Sequence, residues 1–568
     1  VSAVRNDRVP LRFAPGLSLG AGGGPPEQRG LFIDGDSAGA ITRFDGTHPP
    51  QYLTDLSSML PYQLFPRARV LVLEPGGGTS VLQAIAGDAV KVDVVEPFAT
   101  LSGLIQGPYG AFSGAIYDLP DVQLQAGDAR QYLDLSDASY DLVIVDLVDT
   151  QDTSATGLAA QRVSYLYTRE AVHSMLNRLA PGGLLSITRW LQLPPRDMLR
   201  LVATVVMALE DRGVRDPGRH LAVIRGWNTT LRPASPSPFS VHAVQDKRTY
   251  AHPRSFDLVH HPRLRPDDVN RFNRLETPLL HDGVVALLSG ARDEFIEAYP
   301  FSIAPVTDDR PFFFRYSRWR NLSELLSLPG GMGYGQIDWG YWVLVAAALQ
   351  ALVLGLVMIL WPLRCLPSGP AAPHNWIVAR WLSYFALIGL GYLFVEVAYL
   401  QHMQRFLGHP VHAVAAVLSG FLLFSGLGSA FAARLPGSRR ALLGVLGSVA
   451  GLAVVTLMIL PALMGWVAGS SMPLRFGFAV VVIAPVAFVM GMPFPLALRM
   501  LATRAPPLLP LAWGVNGCAS VVSAVTAALL AMAVGFTGVV LCAACLYLLA
   551  GAMVMSRSLA SPSGASAG

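Results

Sequence analysis

Beyond Asp338 the chain contains a single acidic residue, Glu396, whereas acids are frequent before it. No motif divides the 568 residues as sharply. A segment almost free of carboxylates cannot present the mixed-charge surface of a water-soluble domain, and its apolar runs reach about 20 residues, enough for a helix to cross a bilayer. Seven runs can be counted, at 341–360, 378–399, 411–433, 441–466, 474–498, 511–534 and 536–556. Each has to be helical, because backbone N–H and C=O groups find no water in hydrocarbon. A hydrophobic content of 52% against 14% charged residues, with mean hydropathy +0.44, fits a multi-pass membrane protein. The expected organisation is a lead-in and β-hairpin region over 1–64, a ligand-binding domain over 65–338, a seven-helix transmembrane domain over 339–556 and a flexible tail over 557–568.

Within the apolar half, Pro485, Pro493 and Pro495 predict a kink or break in the fifth run. Gly420, Ser425, Gly426, Gly428 and Ser429 suit close helix packing. Glu396 stands out, since a carboxylate at membrane depth is costly and usually faces a cavity or a partner. Gly389 and Tyr392 precede it by seven and four residues and so share its helix face. A ligand, proton or substrate role for Glu396 competes with a purely structural buried hydrogen bond. Cys542 and Cys545 form a C-x-x-C inside an apolar run with no other ligand nearby, so packing is expected and no metal site is predicted. The net charge of +4, with no basic run interleaved by aromatics, excludes nucleic acid as a partner. Lys91 and Lys247 are the only lysines, which excludes Schiff-base chemistry from the apolar half.

In the first half, Val70 to Glu96 reads as strand, turn, helix and second strand. Val70–Leu73 is apolar on both faces, as in a buried parallel strand. Glu74, Gly76, Gly77, Gly78 and Thr79 form a turn through which backbone N–H groups can approach a ligand at a helix start. Glu96 lies about 20 residues past the glycines, where a carboxylate meets ribose hydroxyls. Strands Gln123–Asp128 and Tyr140–Asp149 end in acids where open α/β sheets bind ligands. Leu31–Phe44 suits a β-hairpin, Tyr52–Leu64 a helix, Tyr165–Leu179 a helix stopped by Pro181-Gly182-Gly183, and Leu184–Arg189 a strand. Met198–Asp211 suits a helix, Leu221–Arg225 a strand and Pro233–Pro238 a surface loop, while Thr307–Phe314 acquires no role. The fold class expected is α/β, a Rossmann-like, methyltransferase-type doubly wound sheet with a small N-terminal β-hairpin, followed by an all-α multi-pass membrane domain.

With LFIDG at 31–35, LEPGGGTS at 73–80, VVEP at 94–97, GDAR at 127–130, YDLVIVDLVDT at 140–150 and YLYTREA at 165–171, the chain resembles the membrane-fused branch of the spermidine synthase-like proteins. VEVAYLQHMQRFLGHPVHA, GMPFPLALR and WGVNGCASV extend the resemblance into the apolar half. It implies that decarboxylated S-adenosylmethionine or S-adenosylmethionine binds as substrate, with no metal. Gly76 and Gly78 would line its methionine-derived end, Glu96 would hold the ribose, and Asp128 with Ala129 would border the adenine. Asp146 would take the proton from an attacking amine and Asp149 would hold a cationic polyamine chain. The sequence departs from the soluble enzymes at Thr79, where they carry an acid, and at HPPQYLTDLSS, where only Tyr52 and Asp55 match their Tyr-Gln-Glu segment partially.

Three functions therefore compete: aminopropyl transfer to a polyamine or other amine, favoured by Asp146 and Asp149; methyl transfer to a lipid or membrane-delivered acceptor, favoured by Thr79; and a transporter or sensor that binds nucleoside or polyamine without turnover, favoured by Glu396. A bacterial inner-membrane location is expected, in contact with the lipid bilayer. Loop arginines concentrate opposite the first half, which by the positive-inside rule would place that half outside. Adenosyl substrates, made in the cytoplasm, place it inside, and that placement is the expectation carried forward.

Overall fold

A computed structural model describes residues 1–5, 11–33, 36–147, 163–240, 247–321, 338–363 and 375–555. The chain divides into two compact units, Val1–Tyr341 and Trp342–Gly568.

The first unit opens with a three-stranded antiparallel sheet of β1 (Ser2–Val4), β2 (Gln28–Ile33) and β3 (Asp36–Thr42), which includes the expected hairpin. The helix expected over Tyr52–Leu64 is instead two 3₁₀ turns, Gln51–Asp55 and Ser57–Met59, and a short α1 (Leu60–Leu64). Leu56 is extended between the turns because its neighbourhood bonds elsewhere: Ser57 N–H donates to Gly16 O at 2.8 Å and Ser18 N–H to Asp55 O at 2.9 Å. A tertiary bridge thus overrides the local helical pattern.

The main sheet has eight strands: β4 (Arg69–Leu73), β5 (Lys91–Glu96), β6 (Val122–Ala126), β7 (Tyr140–Val145), β8 (Leu179–Trp190), β9 (Val223–Arg225), β10 (Thr229–Ala234) and β11 (Asp257–His260). Its order is β11-β9-β10-β8-β7-β4-β5-β6. The run from β8 to β6 is parallel, and β10, β9 and β11 add an antiparallel flank, so the sheet is mixed. From β4 the chain runs outward through β5 and β6, then returns to β7 on the other side of β4. That reversal opens a crevice at the carboxyl ends of β4 and β7, the place where such sheets bind ligands.

Helices α2 (Thr79–Ala86), α3 (Ala99–Gln106), α4 (Ala129–Leu135), α5 (Arg169–Asn177), α6 (Asp197–Asp211), α7 (Leu279–Leu288) and α8 (Arg292–Ala298) complete the unit. The period of two along β4 sorts its side chains between two cores. Leu71 and Leu73 join the core built on α5 and α6, while Val70 and Val72 join the one beneath the hairpin and α2.

Two boundaries differ from expectation. Leu179–Gly183 enters β8 rather than ending a helix, and Gly183 is required there because an added Cβ would lie 3.0 Å from Tyr140 O and Asp141 O. Pro233 lies in buried β10, and the surface is reached only beyond Ser235. The Thr307–Phe314 segment gains a structural role. Asp308 accepts from Thr168 Oγ1 at 2.6 Å and pairs with Arg130 at 3.4 Å, and Phe313 packs 4.6 Å from Tyr167.

The second unit is helical: α9 (Trp339–Leu363), α10 (Asn375–Leu407), α11 (Pro410–Ala432), α12 (Arg439–Val467), α13 (Met472–Met490), α14 (Pro493–Arg504) and α15 (Leu509–Met555). Among the described residues, six segments, counting α13 with α14 and all of α15 as one, are long and apolar enough to cross a membrane. The break expected at the proline-rich stretch falls at Gly491–Met492, with Pro493 opening α14. Within α15, Gly535 is non-helical at φ 82°, ψ 170°. Before it, Asn516 Nδ2 donates to Phe385 O at 3.0 Å and Ser523 Oγ to Leu390 O at 2.7 Å, so numbering on α10 and α15 rises together. After it, Phe536 meets His402, Tyr547 meets Gly391 and Met553 O accepts from Arg380, so numbering runs oppositely. The chain therefore doubles back at Gly535, the junction between the last two apolar runs.

Small residues bring α11 against α13. A Cβ on Gly428 would lie 1.8 Å from Phe488 O, and one on Gly491 would lie 2.0 Å from Ser425 O. Gly426 plays no such part, since an added Cβ meets nothing within 4 Å.

Candidate functional site

The turn after β4 uses its residues for different purposes. Glu74 holds a left-handed φ of 53° while its N–H donates to Val95 O at 2.9 Å. A non-glycine residue there costs about 1–3 kcal/mol, a strain that concentrates at functional sites. Gly76 (φ 54°) and Gly78 (φ 86°) take left-handed conformations, and Gly78 caps α2 without a side-chain bond, which leaves the helix amino terminus open to a ligand. Gly77 answers to packing instead, because its Cβ would lie 2.1 Å from Ala40 O on β3. Thr79, the first residue of α2, is half-buried.

Glu96 ends β5 beside this turn and is 2% exposed. Its carboxylate accepts from the Phe98 N–H at 3.0 Å and from the Gly76 N–H, so it ties the end of β5 to the glycine turn. Burial pushes its pKa up to about 7 against the pull of those two bonds. Asp128 caps α4 by accepting from Gln131 N–H at 2.8 Å, and Ala129 begins that helix, buried. Both sit at the carboxyl end of β6, and the cap already occupies one Asp128 oxygen.

Asp146 follows β7, where its N–H reaches toward Leu73 O at 3.4 Å and its Oδ1 accepts from Leu147 N–H at 2.7 Å. It lines a narrow cleft with Pro75, Gly77, Thr79 and Thr188, closed on the other side by Ala38–Ala40 of β3 and by Ser58. Burial raises its pKa, opposed by the Ser80 hydroxyl and the Leu147 N–H. A carboxylate made more basic in this way is suited to take a proton from a nucleophile. Asp149 lies outside the described residues.

Sequence reasoning missed Tyr117. Its ring is 4% exposed, its hydroxyl has no hydrogen-bond partner, and a Cβ on Gly78 would come within 3.9 Å of that oxygen. Burial, then the charges of Glu96 and Asp146, hold its pKa well above the ordinary tyrosine value. Without a partner among the described residues, this buried hydroxyl is free to donate to a ligand atom. The residue lies outside every regular element, so periodicity gave no signal for it.

Tyr52 and Asp55 do not join this cleft. They border a separate hollow with Arg43 and His48, where the Tyr52 hydroxyl meets Thr42 Oγ1 at 3.3 Å and Asp55 pairs with Arg254 at 3.3 Å. Glu396, on α10, belongs to the second unit.

No family model matches the chain. It is 31% identical over 124 residues to polyamine aminopropyltransferase 2 of Pseudomonas aeruginosa, covering 21% of this chain and 32% of that protein. It is 32% identical over 121 residues to polyamine aminopropyltransferase 2 of Hyperthermus butylicus, covering 20% and 36%. The matched stretch thus spans about a third of the length of these curated relatives. Among solved structures, a probable spermidine synthase from Corynebacterium glutamicum aligns with 17% identity and a TM-score of 0.32, covering 47% of this chain and 88% of that one.

Proposed function

We propose that the first unit is a spermidine synthase-like aminopropyltransferase, held at a bilayer by the second unit with its active site on the cytoplasmic side. The observation that carries this reading is the glycine turn after β4, which shares a cleft with Asp146 through Gly77 and Thr79 and is bonded to Glu96 at the end of β5 through the Gly76 N–H. It is supported by relatives named as polyamine aminopropyltransferases. Decarboxylated S-adenosylmethionine lies along the turn, with its ribose on Glu96 and its adenine near Asp128 and Ala129. The amine, oriented by Asp146, attacks the methylene beside the sulfonium; a C–N bond forms, the C–S bond breaks, and 5′-methylthioadenosine leaves. The proton lost by the amine passes to Asp146, and Asp149 holds the remaining cationic chain.

The test is 5′-methylthioadenosine release by the full chain in membranes, given decarboxylated S-adenosylmethionine and putrescine. Asp146→Asn keeps size and hydrogen bonding but cannot accept the proton, so turnover falls by about 10²- to 10⁴-fold with nucleoside affinity little changed. Full activity in Asp146→Asn refutes the assignment. One observation favours methyl transfer as the second reading: Tyr52 and Asp55, the partial matches to the Tyr-Gln-Glu segment of the soluble enzymes, are bound elsewhere and do not line the cleft. Methyl transfer from S-adenosylmethionine to a lipid acceptor, with no aminopropyl transfer, would put that reading first.

A further inference from the structure

We infer that the second unit contains a binding site for an aliphatic ammonium ion, in the cavity where α13 breaks into α14. The cavity measures about 410 Å³ and is bounded by α10, α11, α15 and the Gly491–Pro495 break. Its volume falls within the range of small-molecule sites, about 300–1,000 Å³. Although the surrounding helices are long and apolar, Tyr392, Ser425, Ser429, Asn516, Ser520 and Tyr547 all reach this space. Such a concentration of polar groups at membrane depth marks a ligand path more often than a packing need.

Charge decides the class of ligand. Among the described residues no lysine, arginine or histidine lines the cavity, so an anion would find no counter-charge there, whereas five hydroxyls and an amide offer oxygen acceptors. The rings of Tyr392, Phe494 and Tyr547 offer π faces, which attract cations. Glu396 stands one helical turn beyond Tyr392 on the helix face that carries Gly389 and Tyr392, next to the cavity and outside its lining, and it is half-buried. Among the described residues it takes part in no ion pair, so at this depth it is ionised only when a cation comes to compensate it. A ligand ammonium supplies that charge. The break presents a helix carboxyl end and a helix amino end together, so helix dipoles do not alter this preference. Leu422, 73% exposed, borders the opening, which suits a cation borne on a methylene chain.

This site is independent of aminopropyl transfer in the first unit, and its test separates the two. Equilibrium binding of radiolabelled spermidine is measured on the full chain in detergent, in an Asp146→Asn background that disables the proposed catalytic base. Saturable binding is expected there. Glu396→Gln should weaken it at least tenfold, Glu396→Asp should restore part of it, and octane-1,8-diol, a neutral chain of similar length, should not compete. Gly426→Phe provides a second route: it lines the cavity and has open space for its Cβ, so the ring fills the cavity without entering a helix contact and should abolish binding. The inference fails if spermidine does not bind, if Glu396→Gln and Gly426→Phe both bind it as tightly as the parent, or if the diol displaces it equally well. Absence of aminopropyl transfer would sink the proposed reaction and leave this site standing.

Discussion

With the ribose on Glu96 as proposed, binding and stability should respond to pH in opposite directions. Burial lifts its pKa from 4.5 to about 7, so between those values the folded chain holds a proton that the unfolded chain has lost. Its contribution to stability is complete below pH 4.5 and disappears as pH rises through about 7. On the proposed ribose contact binding should run the other way, because a carboxylate is the form that accepts from two ribose hydroxyls. One pH unit below its pKa only about a tenth of the groups are ionised, so nucleoside affinity at pH 6 should be about tenfold weaker than at pH 8. The informative substitution is Glu96→Gln rather than alanine. Glutamine keeps an oxygen for one of the Phe98 and Gly76 N–H groups, whereas alanine orphans both at about 1–3 kcal/mol each. Each charge-assisted bond to ribose is worth about 1.5–3 kcal/mol, so the glutamine variant should lose at least about tenfold in affinity at pH 8 and its pH dependence. Titration calorimetry with 5′-methylthioadenosine, which has no group titrating in this range, reads both effects. A flat profile in the wild type, or equal affinity in Glu96→Gln, would refute the ribose assignment.

Gly77→Ala should lower the melting temperature of the purified chain by an amount equivalent to about 1–3 kcal/mol, because its Cβ would meet Ala40 O at 2.1 Å and β3 must shift; an unchanged melting curve would show that the hairpin yields freely. Tyr117→Phe removes a buried hydroxyl with no partner, so stability should hold or rise by about 1 kcal/mol. Affinity for 5′-methylthioadenosine should fall by roughly fivefold, the value of one hydrogen bond, and unchanged affinity would remove Tyr117 from the site. Orientation can be read from Ser237→Cys, placed at an exposed position beyond buried Ser235, in a cysteine-free background. A membrane-impermeant maleimide should leave it unlabelled on whole cells and label it after lysis; strong labelling on whole cells would place the first unit outside.

Residue chemistry alone located the loss of acids beyond Asp338, the parallel strands of the sheet, the carboxylates at their ends and the proline break in the apolar half. These features are local. A buried strand must be apolar on both faces, a membrane helix must be apolar along its length, and proline cannot continue a helix. Tertiary structure decided what depends on partners distant in sequence. It shows that Gly77 is glycine because of Ala40, that Asp128 is occupied by a helix cap, and that Tyr52 and Asp55 are held away from Asp146 by Thr42 and Arg254. It breaks the expected Tyr52–Leu64 helix through bonds to Gly16 and Ser18, and it turns α15 back at Gly535. It also brings Tyr117 within the electrostatic reach of Glu96 and Asp146 and gathers polar groups from three helices, α10, α11 and α15, around the α13–α14 break. Periodicity records which way a residue faces along its own element, and only the packing of elements against one another determines what it meets there.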